Sequence, residues 1–251
     1  MYRELSIPRL HASLWISEPD LDVPAAGSPE SGTPRVIVPD GCMDLIVMGS
    51  TAVIAGADST ARTITTGPGR AVGLRFDPGV LPQLLRTSAA ELANQVTPIA
   101  EVVTAVPSFL LGGSAGDDAR ELLDLAEALA SRTDIDGRPL ALARALAQPR
   151  VPAGSQRLAG SAAFAGRPVF VGSGAGSIAE VAADFAYSPR HLRRLSADWF
   201  GYGPKHLAKI LRWRSARELI AAGHTRATAA ALAGYADAAH LWRDERALLG
   251  R

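Results

Sequence analysis

The chain has 251 residues, 47% of them hydrophobic, which suits one or two domains with a buried core. A single cysteine, Cys42, excludes an internal disulfide and fits a reducing, cytoplasmic setting. The formal net charge of +1 hides an asymmetry: from Gly174 onward 12 Lys and Arg face 7 Asp and Glu, whereas upstream 14 face 18, so positive charge gathers at the carboxyl-terminal end, as a phosphate-binding surface requires.

The opening stretch from Met1 to Ile16 has no continuous apolar run of the secretory type, and no apolar run in the chain reaches 18 residues, so neither a secretion signal nor a membrane span is expected. Residues 1–110 read as mainly β. Arg35–Val38, Cys42–Met48, Thr51–Gly56, Ala61–Thr66 and Arg70–Phe76 are short β-branched or apolar runs separated by Pro, Gly, Asp and Ser. Pro39 and Gly41 make the segment between the first two a turn. Asp77–Gly79 ends this region and leads into a short helix, LPQLLR, after which Ser88 and Glu91 have the spacing of a capping box. The sum is a small sheet or partial barrel with helices attached.

Asp117–Arg132 is an amphipathic helix with Leu122, Leu125, Ala126 and Leu129 on one side and acids in its first turn. A second helix follows at Arg138–Ala147. The pair suits a dimer seam, a rest for the carboxyl-terminal part, or plain internal packing. From residue 149 to 176 the chain is rich in Pro, Gly, Ser and Ala and reads as a linker, with a weak helix near Gln156–Phe164. Gly172, Gly174 and Gly176 follow a strand-like run and precede a helix, as in a dinucleotide-binding turn. Helices follow instead of further parallel strands, so linker is the better reading.

Few residues suggest bond-breaking chemistry. Cys42 lies between Asp40 and Asp44, but His11 is the nearest imidazole in that region, short of the three or four ligands a metal needs. No G-x-S-x-G or H-E-x-x-H pattern is present. The expectation is a protein that is not an enzyme and needs no cofactor.

The last 75 residues repeat one idea. Ser177–Gly201 and Thr225–Gly250 each hold a short Ala-rich helix, a tight turn ending in Tyr187 or Tyr235, and a second helix closed by glycine. Tyr187 and Tyr235 lie 48 positions apart, whereas Leu192 and Leu241, or Gly201 and Gly250, lie 49 apart, so one residue is added at the turn. Ser188 suits a helix cap and Pro189 the first helical position. Leu192, Leu195 and Trp199 then form a core face, with Arg190, Arg193 and Arg194 opposite. A shift of 49 places Ala239, Trp242, Arg243 and Arg246 outward in the second copy. Between the copies, Pro204–Ala222 predicts one helix of about 28 Å, near the roughly 34 Å between successive major-groove faces. Lys205, Lys209 and Arg212 share a face of it, suited to phosphates. Trp199, Phe200, Tyr202 and Trp213 are read as packing residues, whereas Trp242 suits either a thymine methyl or an interdomain contact.

AYSPRHLRRL, GYGPK, RSARELIAAG, and GYADAAHL followed by RALLG resemble the DNA-binding domain of AraC/XylS-type transcriptional regulators. PDGCMDL and GLRFDPG more loosely resemble an amino-terminal domain found in a subset of those regulators. The resemblance departs at Ser196 and Glu245, where apolar residues are usual, at Asp244, which stands at the position equivalent to Leu195, and at Arg251, where a short tail usually follows.

The reading is therefore an α+β chain: a β-rich sensor or oligomerisation domain with helices over residues 1–148, a linker over 149–176, and an all-α tandem helix-turn-helix domain over 177–251. The resemblance implies a cytoplasmic, bacterial-type regulator that binds double-stranded DNA through Ser188, Arg190, His191, Arg193, Arg194, Lys205, Lys209, Arg212, Ala239, Trp242, Arg243 and Arg246. A small-molecule effector and a homodimer are compatible partners; a membrane is not. The alternative, motivated by Glu245 and the end at Arg251, is a ligand-binding or enzymatic amino-terminal domain with degenerate DNA-binding modules.

Overall fold

A computed structural model describes residues 2–18, 33–49, 51–66, 69–103, 115–147, 163–164, 167–168 and 177–251. The strands are β1 (Tyr2–Ile7), β2 (Ala12–Ser17), β3 (Thr33–Ile37), β4 (Met43–Met48), β5 (Thr51–Ala55), β6 (Arg62–Thr66), β7 (Ala71–Phe76) and β8 (Val96–Pro98). Six form one antiparallel sheet in the order β1-β2-β7-β4-β5-β8, while β3 and β6 pair separately. Side chains alternate as a pleated strand demands: Met43, Leu45 and Val47 of β4 are buried, and Asp44, Ile46 and Met48 point to the other face. On that face Asp44 lies opposite Arg75, whose guanidinium donates to both its carboxylate oxygens at 3.1 and 3.2 Å. Burial pushes the Asp44 carboxyl up, and Arg75 opposes that shift.

Five strands match the sequence reading to within a few residues; β1, β2 and β8 were not anticipated. The reason is visible in β1, a sheet edge whose first five residues are all exposed, so it carries no alternation of apolar and polar residues. Helices α1 (Leu81–Leu85), α2 (Ala89–Leu92) and α3 (Ile99–Val102) follow the sheet. The capping box expected at Ser88 takes another form: Ser88 accepts from Ala90 N, and the Thr87 hydroxyl donates to Glu91 at 2.9 Å. Glu91 stands at the third position of α2, but its carboxylate is engaged by Thr87 of the preceding turn.

Helix α4 (Ala115–Ala130) lays Leu122, Leu125 and Ala126 against β4, β7 and α1, which is internal packing. Helix α5 (Arg138–Ala147) does something different, burying Leu140, Leu142, Ala143 and Leu146 against the carboxyl-terminal helices. The two-residue strands β9 (Ala163–Phe164) and β10 (Arg167–Pro168) pair with each other, β9 falling where the sequence suggested the end of a helix. The rest of the expected linker helix, and Gly172, Gly174 and Gly176, lie outside the described residues.

The carboxyl-terminal helices are α6 (Ile178–Asp184), α7 (Pro189–Phe200), α8 (Pro204–Ala221), α9 (Arg226–Leu232) and α10 (Ala238–Leu248). Their hydrophobic core is continuous with that of the sheet: a single cluster runs from Ile7 to Leu248. No described helix is long and apolar enough to cross a membrane.

Candidate nucleic-acid interface

Each module is closed at both ends by local chemistry. Ser177 and Glu180 form a reciprocal capping box that starts α6. Ser188 Oγ accepts from His191 N at 3.2 Å and starts α7, with Pro189 at its first position. Gly201 ends α7 in the left-handed region at φ 86°, which a side chain resists. In the second module Thr225 caps α9, and Asp237 caps α10 by accepting from His240 N at 2.6 Å. The offset of 49 carries Pro189 to Ala238, the observed first residue of α10.

Between the modules α8 runs unbroken for 18 residues, about 27 Å. It is buried on several sides, with Leu207, Ile210, Leu211, Trp213, Ala216 and Leu219 in the core, and it touches α5, α7, α9 and α10. The spacer is thus the spine of the carboxyl-terminal part.

Most of the residues expected to meet DNA are presented to solvent. Arg190, Arg193 and Arg194 on α7, Lys205 on α8, and Ala239, Trp242, Arg243 and Arg246 on α10 are exposed or half-buried, as is Ser188. His191 differs: it is half-buried, its ring 5.0 Å from that of Tyr187, so it packs on its own turn. Lys209 and Arg212 also differ. Arg212 donates to Asp244 Oδ2 at 2.7 Å and lies 4.4 Å over the Tyr235 ring, and Lys209 Nζ sits 3.9 Å from Asp244 Oδ1. These two cations neutralise a buried carboxylate of α10 instead of facing outward, which leaves Lys205 as the exposed cation of the expected spacer trio. Burial pushes the Tyr235 phenol up to about 12 despite Arg212, so it stays neutral in the second module's core.

The other departures from the expected pattern are also satisfied. Ser196 is fully buried, and its hydroxyl donates to the Tyr202 carbonyl at 2.8 Å, tying α7 to the start of α8. Glu245 pairs with Arg226 across the second module. Each of the two polar side chains thus has a partner within its own part of the fold.

Sequence reasoning missed the junction with the sheet. Arg214 Nη1 donates to the Asp40 carbonyl at 2.9 Å and lies 3.9 Å from the buried Cys42 sulfur. His206 Nε2 is 2.9 Å from the Ser59 carbonyl and must carry the proton, because a carbonyl only accepts. Ala61 N donates to Leu248 O at 2.6 Å, and Arg138 to the Tyr187 hydroxyl at 3.3 Å. One body thus holds the first module, the spacer and the second module. The one local signal was that Arg214, two residues beyond Arg212, falls off the spacer's cationic face. Among the described residues no cluster of His, Cys, Asp and Glu has the makings of a metal site.

Comparison with known proteins adds the family. Residues 181–251 match a helix-turn-helix domain family, and residues 12–98 match a domain of unknown function, DUF6597. No curated protein matches the chain. Among solved structures, an apo variant of ToxT from Vibrio cholerae strain SCE256 is similar at 8% identity with a TM-score of 0.45, over 99% of this chain and 96% of that one. ToxT from Vibrio cholerae O395 is similar at 10% identity with a TM-score of 0.41, over 88% and 91%. The paired helix-turn-helix units, their capped recognition helices and the family match lead to one assignment: the chain ends in an AraC-type helix-turn-helix domain, carried behind a β-rich domain of the DUF6597 family.

Proposed function

We propose that this protein is a sequence-specific transcriptional regulator that lays α7 and α10 into successive major grooves on one side of double-stranded DNA. The observation that carries the reading is the pair of outward faces, Arg190, Arg193 and Arg194 on one helix and Trp242, Arg243 and Arg246 on the other, joined by the unbroken α8. Its length of about 27 Å suits modules set one duplex turn apart. Arginine reads guanine or holds phosphate, and Lys205 at the start of the spacer is placed for phosphate. A small-molecule effector would act through the junction at Asp40, Ser59 and Ala61, because those residues touch the spacer and the second module.

Gel shifts with fragments selected from genomic DNA test this reading. A specific complex is expected whose affinity falls steeply with salt. Arg193→Ala and Arg243→Ala should each lower the slope of log affinity against log salt by about 0.9 for every phosphate left without its cation. Binding that ignores both sequence and salt would instead favour the alternative of degenerate modules.

A further inference from the structure

Of the four tryptophans in the chain, Trp15 and Trp213 are buried and Trp199 is half-buried. Trp242 alone is left in water, 49% exposed, and no other large apolar side chain on α7 or α10 is so open. The ring contact it makes is with Arg246 of its own helix.

The ring is held, not loose. The Arg246 guanidinium, one turn further along α10, lies 4.8 Å from the Trp242 ring centroid, a cation on the electron-rich face of an indole. Arg243 folds back to donate from Nε to the Ala239 carbonyl at 3.4 Å. Ahead of Trp242, Ala238 and Ala239 offer only methyl groups, and His240 packs edge-on against Tyr235 with ring centroids 5.1 Å apart. The first turn of α10 therefore presents mainly methyl groups beside the half-buried His240. The outward surface that remains is the second face and the rim of the indole, flanked by two arginines.

Resting on the reading above, we propose that Trp242 is the specificity-determining residue of the second module. It takes the 5-methyl group of a thymine against its free face, and Arg246 fixes the ring that receives it. In the major groove only thymine presents a methyl group, and the negative face of an indole suits that weakly positive, apolar partner. The first module has no counterpart, since α7 turns Arg190, Arg193 and Arg194 outward. The two modules thus differ: α7 turns only charge and hydrogen-bond donors outward, and α10 adds an apolar contact to its arginines.

The test uses the full-length protein and an operator selected from genomic DNA. Each thymine is replaced in turn by deoxyuridine, which removes the methyl group and keeps every hydrogen bond. With the unaltered protein, one or two positions in one half-site should lose affinity about fourfold, the loss for one buried carbon of this kind. Trp242→Ala should bind the thymine and deoxyuridine probes equally at those positions, while Trp242→Phe should keep part of the difference. Thermal melts should show both variants folded, because the side chain is exposed. If no thymine in either half-site matters to the unaltered protein, or if Trp242→Ala still discriminates, the inference is overturned while DNA binding stands. Failure to select any bound sequence would overturn the regulator reading itself, which separates the two.

Discussion

In α7 the buried positions are Leu192, Ser196 and Phe200, whereas in α10 they are Leu241, Asp244 and Leu248. Under the offset of 49, Asp244 stands where Leu195 does and Leu248 where Trp199 does. The two buried stripes start at matched positions, Leu192 and Leu241, and from there the second runs one residue short of the first. The surroundings account for the difference. Phe200 is drawn inward at the junction, beside Gly79 and Pro139, while Gly201 packs against Ala89 and Ala93 at α2. Helix α10 meets the amino-terminal domain through the bond from Ala61 to its last residue, and its inward carboxylate is met by Arg212 and Lys209. One helical plan is thus stabilised in two ways, by apolar packing on a neighbouring domain and by an internal ion pair. A core position can change from leucine to aspartate when a cation of the adjoining helix is within reach.

The largest effect should come from disturbing the first module's seat. Gly79 has φ +81°, and a Cβ added there would lie 2.7 Å from Pro139 Cβ and 2.9 Å from Phe200 Cε1. Gly79→Ala combines the left-handed penalty of about 1–2 kcal/mol with overpacking of about 1–3 kcal/mol. A loss of about 4 kcal/mol in urea unfolding is expected from the two together, read from the midpoint at constant slope. A loss of no more than about 2 kcal/mol, which the left-handed penalty alone would account for, would mean that Phe200 is free to withdraw and that the junction does not hold the module.

Breaking the second module's ion pair comes next. Asp244→Ala leaves Arg212, whose side chain is 20% exposed, without its carboxylate, and should cost about 3 kcal/mol. The double variant Asp244→Leu with Arg212→Met should recover most of that, because a packed apolar pair of similar volume replaces a buried ionic one with little loss. If the double variant loses as much as the two single variants added together, the pair is not the unit that stabilises this module.

How far these differences were legible in the sequence follows from the distances along the chain that carry them. The modules were legible because their signals are local: Ser188 three residues before His191, Gly201 at the end of a helix, Leu192 and Leu241 at matched offsets. The outward placing of Arg190, Arg193, Arg194, Arg243 and Arg246 followed from helical periodicity alone. The fate of Lys209 and Arg212 did not, since only the fold reveals that Asp244 of another helix faces them. The junction was least visible: Arg214 meets Asp40 across 174 positions and His206 meets Ser59 across 147. A turn carbonyl leaves no mark on residue type, so no pattern could announce either contact. In the sheet, β4, β5 and β7 declared themselves by apolar runs, whereas the exposed edge β1 gave no such run.

The smallest expected effect tests the feature that the two modules share. Ser188 and Asp237 both accept from the backbone N–H three residues on, at 3.2 and 2.6 Å, and either changed to Ala should cost about 1 kcal/mol. Their difference is informative. A carboxylate at a helix start also meets the positive end of the helix dipole, which is worth about 0.3–1 kcal/mol at low salt and is screened as salt rises. Asp237→Ala should therefore cost more than Ser188→Ala in dilute buffer, and the gap should narrow at high salt. The reciprocal exchange sharpens the comparison: Ser188→Asp should stabilise the first module slightly, and Asp237→Ser should weaken the second by less than Asp237→Ala does. Equal losses at every salt concentration would show that the Asp237 charge adds nothing to its hydrogen bond, and that the two caps are physically alike despite their different chemistry.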